Sequence, residues 1–185
     1  MTLAEMEKKV LSMIEELNES SEKLTDDPDI AAKMRSVTNQ VMYELARIKK
    51  IAKYVEMPVT AGQMLTMEDI GGEVGYDVYQ IGIIGGVAHQ FKANGTMVKF
   101  LESGTAEIDV FVYPERITES TKSNYEFELS DDALEIMPYG IAGDLLKSDI
   151  SAEYGNVYSA RYESMLSRLD PRNHMSSVYI EGGWS

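Results

Sequence analysis

The residues that most often carry chemistry are sparse here and poorly placed for it. The chain has 2 histidines, His89 and His174, and no cysteine. A metal site or a catalytic triad needs several convergent groups, and neither histidine has neighbours of that kind in sequence. Both read as ordinary surface or partly buried residues. The missing cysteines exclude disulfides, thiol catalysis and every cysteine-based metal site. Two glycine clusters, Gly71-Gly72-Glu73-Val74-Gly75 and Gly82-Ile83-Ile84-Gly85-Gly86, superficially suggest phosphate loops. Such a loop runs from a strand into a helix whose N–H groups face the anion, usually with a lysine. Neither cluster has a lysine or a helix signal after it, so both are predicted to be turns and bulges in a β region.

The acidic groups Asp26, Asp27 and Asp29, and later Asp131 and Asp132, sit at helix starts, where capping and the helix dipole favour them. They lack the spacing and the central glycine of a calcium loop. No nucleophile elbow is present. The reading is therefore a protein without catalytic site, metal or cofactor.

Charge sharpens the exclusion. The 185 residues carry a formal net charge of −14, which favours solubility and disfavours direct contact with nucleic acid or an anionic membrane. The imbalance is greatest after the first third: residues 58–130 hold 11 acidic against 4 basic residues, and residues 131–185 hold 9 against 4. The opening MTLAEMEKKVLSM has no apolar core of signal-peptide length. The longest nearly apolar run, Val78 to His89, is too short to span a bilayer. A soluble product of the cytoplasm is expected.

Periodicity then places the elements. Thr2 and Glu5 have capping-box spacing, and Leu3, Met6, Val10, Met13, Ile14 and Leu17 recur at helical intervals, predicting a helix over 2–23. Asp27 as N-cap and Pro28 at the first helical position open a second helix, predicted to reach about Tyr54. The two should form an antiparallel hairpin spanning 1–57, whose open apolar face must pack on something else. From 58 to 129 the texture is that of an inserted β domain. Loop-like 57–63 and 70–75 precede strand signals at 76–84, 87–92, 96–101, 106–113 and 125–129. Asn94-Gly95 is a hairpin-turn signal, and about five short strands suggest a small antiparallel sandwich or barrel. Residues 130–170 return to helix. Ser130 is an expected N-cap, Pro138 an expected kink or break, and Ser151 the expected cap of the last helix. Residues 171–185 read as an extended tail containing Trp184. The fold class is α+β: a helical bundle split by a β insertion.

Tyr139 and the stripe Tyr154, Tyr158 and Tyr162 either pack on the first two helices or form an interface, since tyrosine buries much area at small entropic cost. The 12 methionines suit adaptable packing in a core or against a partner.

One stretch has a likeness beyond its class. Leu129-Ser-Asp-Asp-Ala133-Leu-Glu-Ile-Met-Pro138-Tyr139-Gly-Ile-Ala142-Gly-Asp-Leu-Leu146 runs on to Tyr154, Tyr158, Tyr162 and the Leu166-Ser-Arg-Leu169 ending. This resembles the head–tail connector, or adaptor, proteins of tailed bacteriophages. There, an acidic cap leads into an apolar helix, followed by a helix with aromatic positions and a late Leu-x-x-Leu. The helical hairpin with Asn39-Gln40 and the β insertion are similar to a subset of these adaptors in layout, while the long acidic β insertion departs from the pattern.

The resemblance implies a structural virion protein of the neck, made in the host cytoplasm. Its expected partners are further copies of itself in a ring, a dodecamer, together with the portal and the tail or neck proteins. DNA would pass through the channel without specific binding. The implied interface residues are Pro138, Tyr139, Tyr154, Tyr158, Tyr162 and, in the tail, Trp184. Two other classes stay open at this level: a non-enzymatic β-sandwich interaction module (virion decoration or host-factor binder), and an enzyme with an acidic site.

Overall fold

Helix α1 (Leu3–Met13) opens the computed structural model, which describes residues 1–17, 24–86, 91–93, 96–147 and 152–169. The expected capping box is present: the Thr2 N–H donates to Glu5 Oε2 at 2.8 Å and the Glu5 N–H to Thr2 Oγ1 at 3.3 Å. The helix ends well short of the predicted residue 23. Glu15 takes a left-handed φ of 61°, and the Glu16 N–H donates back to the Leu11 carbonyl at 2.9 Å. This is a Schellman-type stop. It uses glutamate where sequence reading looks for glycine.

Helix α2 (Pro28–Lys49) starts at its predicted cap, with Asp27 Oδ1 accepting from the N–H groups of Asp29 and Ile30. It stops about five residues before the predicted end. Strand β1 (Ile51–Val59) takes over, pairing in unbroken antiparallel register with β6 (Gly104–Val112), from Ile51 opposite Val112 to Val59 opposite Gly104. Nine ladder positions outweigh the weak helical preference of Ala52-Lys53-Tyr54. The β region therefore begins at Ile51 rather than 58.

Strand β2 (Met64–Thr66) leads directly into α3 (Met67–Val74), a helix where the glycine cluster predicted a turn. Its signal was the Thr66–Asp69 capping box, and Gly75 at φ 74° ends it. Strands β3 (Val78–Gly86), β4 (Phe91–Ala93) and β5 (Met97–Phe100) follow. Among the described residues, two three-stranded antiparallel sheets result, ordered β1-β6-β3 and β2-β5-β4. They share one core of Val59, Leu65, Ile70, Val98, Phe100, Ile108, Val110 and Val112. The turn expected at Asn94-Gly95 lies outside the described residues. The strand expected at 125–129 does not form. Only a Thr2–Glu126 bridge is present, and Phe127 and Leu129 enter the helical core instead.

Helix α4 (Asp131–Leu146) is the centre of the α part, with α1, α2 and α5 (Ala152–Leu169) packed against it. Ala133, Leu134, Ile136, Met137, Ile141, Ala142, Leu145 and Leu146 are all buried, as suits a helix packed against three others. It thereby closes the apolar faces that the first two helices leave open. It runs through Pro138 without the expected break, and Ser130 makes no side-chain cap bond. The cap Ser151 lies outside the described residues.

An ion pair joins Lys49 in the last turn of α2 to Asp132 in the first turn of α4. The hydrogen bond from Lys49 holds the Asp132 carboxyl below its ordinary 3.8. A depressed folded-state pKa stabilises the fold above the unfolded value and is lost as pH falls through the folded one. Asp132→Asn is thus expected to lower the melting temperature slightly at pH 7. That difference should begin to shrink as pH falls through about 3.8 and disappear only below the depressed folded pKa, and a difference that does not shrink with acid would show another origin.

Candidate functional site

Two surfaces deserve comparison as sites, and both depend on how the sequence positions bare backbone. The first is the α4–α5 seam. A Cβ at Gly143 would lie 2.6 Å from Ser159 Oγ and 3.1 Å from the Ser159 nitrogen, and one at Gly155 would lie 3.0 Å from Leu146 Cβ. A Cβ at Gly140 would meet the Tyr162 ring at 2.9 Å. Glycine within a helix costs about 1 kcal/mol relative to alanine, so these positions serve the close approach of two helices.

The seam sorts the expected interface residues. Pro138 is buried in α4. Tyr162 is buried over Gly140, with its hydroxyl donating to Glu44 Oε2 at 2.8 Å. Burial first, and then the Glu44 bond, push that hydroxyl pKa up. Tyr158 is half-buried and donates to the Met13 carbonyl. Tyr139 is half-buried, with the Arg161 guanidinium 5.2 Å from its ring centre. These four pack within the chain's own helical core. Tyr154 is different, 70% exposed, and Val157, not singled out in the sequence, is 64% exposed beside it. Trp184, His89 and His174 lie outside the described residues.

The second surface is the β part and its junction with the helices. A groove of about 920 Å³ is lined by Met67, Gly72, Tyr76, Asp77, Tyr113 and Arg116, among others. Two of its glycines, Gly71 and Gly75, have structural causes. A Cβ at Gly71 would strike the Tyr76 carbonyl at 2.7 Å, and Gly75 ends α3. Acidic Glu68 and Asp69 occupy the first turn of α3, so an anion gains nothing there.

Beside the groove, Lys53 bonds the Tyr76 hydroxyl at 3.2 Å, and that hydroxyl donates to Glu128 Oε1 at 2.8 Å. Tyr113 stacks between Tyr43 and Tyr79, with ring centres 4.8 and 4.7 Å away. The Tyr79 hydroxyl donates to the Ala46 carbonyl at 3.0 Å. These contacts weld the sheet to α2.

The outer face of the β1-β6-β3 sheet carries Tyr54, Glu56, Glu107 and Asp109, which sequence reading passed over. Register sets Tyr54 opposite Asp109 and Glu56 opposite Glu107. The Tyr54 hydroxyl donates to Glu56 Oε1 at 2.9 Å. It is pushed up to about 12 by lost hydration first, then by that bond and the nearby carboxylates. The alternation Ile108-Asp109-Val110 was visible in sequence, but the cross-strand juxtaposition was not.

Among the described residues, no cluster of three or more histidine, aspartate or glutamate side chains is arranged to hold a metal ion. No described helix is long and apolar enough to cross a membrane. No protein-family model matches the chain, and no curated protein matches it.

Proposed function

We propose that this chain is a structural virion protein, a head–tail connector or adaptor that forms a ring beneath the portal, joins capsid to tail and lets DNA pass. The observation that carries this reading is the exposed pair Tyr154 and Val157 on α5, a helix whose other side is locked to α4 by glycine contacts. A rigid helix with an apolar outer strip suits a repeated subunit contact, because little conformational entropy remains to be lost on docking. The likeness of 129–169 to the adaptor family points the same way.

The net charge of −14 adds support. An acidic channel wall repels phosphates, so DNA slides past without being gripped. In this reading the partners are further copies of the chain, the portal and the tail or neck proteins, and the protein resides in the virion neck.

Native mass spectrometry and electron microscopy test the proposal directly. The wild-type chain is expected to assemble into closed rings, with a dodecamer as the leading stoichiometry. Tyr154→Glu combined with Val157→Glu should leave a folded monomer, its stability within about 0.5 kcal/mol of wild type as for other surface changes. A wild-type chain that stays monomeric alone and with portal-bearing capsids would sink the reading. It would favour the alternative, a non-enzymatic interaction module built on the β part.

A further inference from the structure

We infer that the free edge of β1 accepts an extended, lysine- or arginine-bearing segment of a partner protein as an added fourth strand of the β1-β6-β3 sheet. Sheet edges present rows of unpaired N–H and C=O groups that template pairing with another chain. The two edges of this sheet differ. Strand β3 pairs with β6 through two register shifts, between Val78 and Gln80 and between Ile81 and Ile84, which interrupt its ladder. Strand β1 is paired over nine residues without a shift, and among the described residues nothing pairs with its other side.

Proline is tolerated in a strand where its missing N–H faces away from the neighbour. Pro58 therefore sets the phase, and Ala52, Tyr54 and Glu56 turn their backbone groups to the free side. None of these three makes a backbone hydrogen bond outside the strand pairing among the described residues.

Charge selects the occupant. An added strand would set alternate side chains beside Tyr54, 53% exposed, and Glu56, with Glu107 and Asp109 one strand further in. Like charges directly opposite across a sheet are destabilising, so the Glu56–Glu107 pairing does not serve the fold. No ion pair relieves these three carboxylates among the described residues. The glycines of β3 leave the carboxylates uncovered: a Cβ at Gly85 would sit 3.4 Å from Glu107 Oε2, and one at Gly82 would sit 3.4 Å from Asp109 Cβ. A cationic side chain would gain both Coulomb attraction and the face of the Tyr54 ring. Nucleic acid and acidic segments are repelled. Such strand addition needs no ring of subunits.

The test uses the full chain and a nine-residue peptide alternating lysine with threonine and valine. The control peptide carries proline at the threonine and valine positions, which preserves charge but cannot form a strand. Titration is followed by NMR and amide hydrogen exchange. The lysine peptide is expected to bind saturably and to slow exchange at Ala52, Tyr54 and Glu56, whereas the proline peptide should protect none of them. Glu56→Lys with Glu107→Lys, both exposed, should weaken binding about tenfold or more. Equal behaviour of the two peptides would overturn the inference and leave only diffuse charge attraction. Absent binding, or unchanged affinity in the charge-reversed protein, would overturn it as well.

Discussion

Gly143→Leu is expected to lower the unfolding free energy by about 3 kcal/mol or more, at the upper end of what overpacking does. The clash involves backbone as well as side chain. A Cβ at this position already meets Ser159 Oγ at 2.6 Å, the Ser159 nitrogen at 3.1 Å and its Cα at 3.3 Å. The Ser159 hydroxyl can rotate, but the nitrogen and Cα move only if α5 moves. Displacing α5 would also pull Tyr162 away from Glu44 and Tyr158 away from Met13. Gly143→Ala is the informative comparison. Its clash is smaller, and better helix propensity returns about 1 kcal/mol, so its loss should be well below that of leucine. Urea unfolding followed by circular dichroism measures both. A leucine variant within about 0.5 kcal/mol of wild type would mean the helices do not approach as closely as described.

Asn39→Leu is expected to cost about 2–6 kcal/mol, taking about 1–3 for each of two buried groups left unsatisfied. The Asn39 side chain donates to the Ile117 carbonyl at 2.7 Å and accepts from the Ile117 N–H at 2.8 Å. Both residues are buried. This clamp matters because residues 113–130 return from β6 to α4 without a helix or strand of their own, so scattered side-chain and backbone groups from elsewhere must help satisfy their backbone. Arg35 donates to the Thr118 carbonyl, and the Leu3 N–H donates to the Tyr125 carbonyl at 2.8 Å. Hydrogen exchange gives a local readout: the Ile117 amide should be protected in wild type and exchange rapidly in the variant. Continued protection in the variant would show that another acceptor holds that amide.

The tyrosines of the last helix show where sequence reading stops. Helical spacing put Tyr154, Tyr158 and Tyr162 on neighbouring turns, yet spacing cannot tell a ring facing its own core from one facing a neighbour. The glycines of α4 and α5 decide this, because they set how near the helices come and hence which rings are trapped between them. Tyr158 and Tyr162 fall inside or at the seam and Tyr154 outside. Similarly, Asn39 entered the sequence reading only within the Asn39-Gln40 pair of the second helix, because its partner lies 78 positions away.

What the sequence by itself determined is local. The caps at Thr2 and Asp27, the apolar periodicity of α1, α2 and α4, the alternation along β6 and the α+β class all depend on residues within a few positions of one another. Even α3 was announced by its Thr66–Asp69 spacing, though its glycines hid it. The tertiary structure decided the rest: where α1 and α2 stop, that 125–129 joins the helical core, and that four side chains from β1 and β6 share one open face. Each depends on partners distant in sequence. A stop at Glu15 or Lys50 and a strand at Ile51–Val59 are favourable only once the chain that satisfies them has been brought alongside.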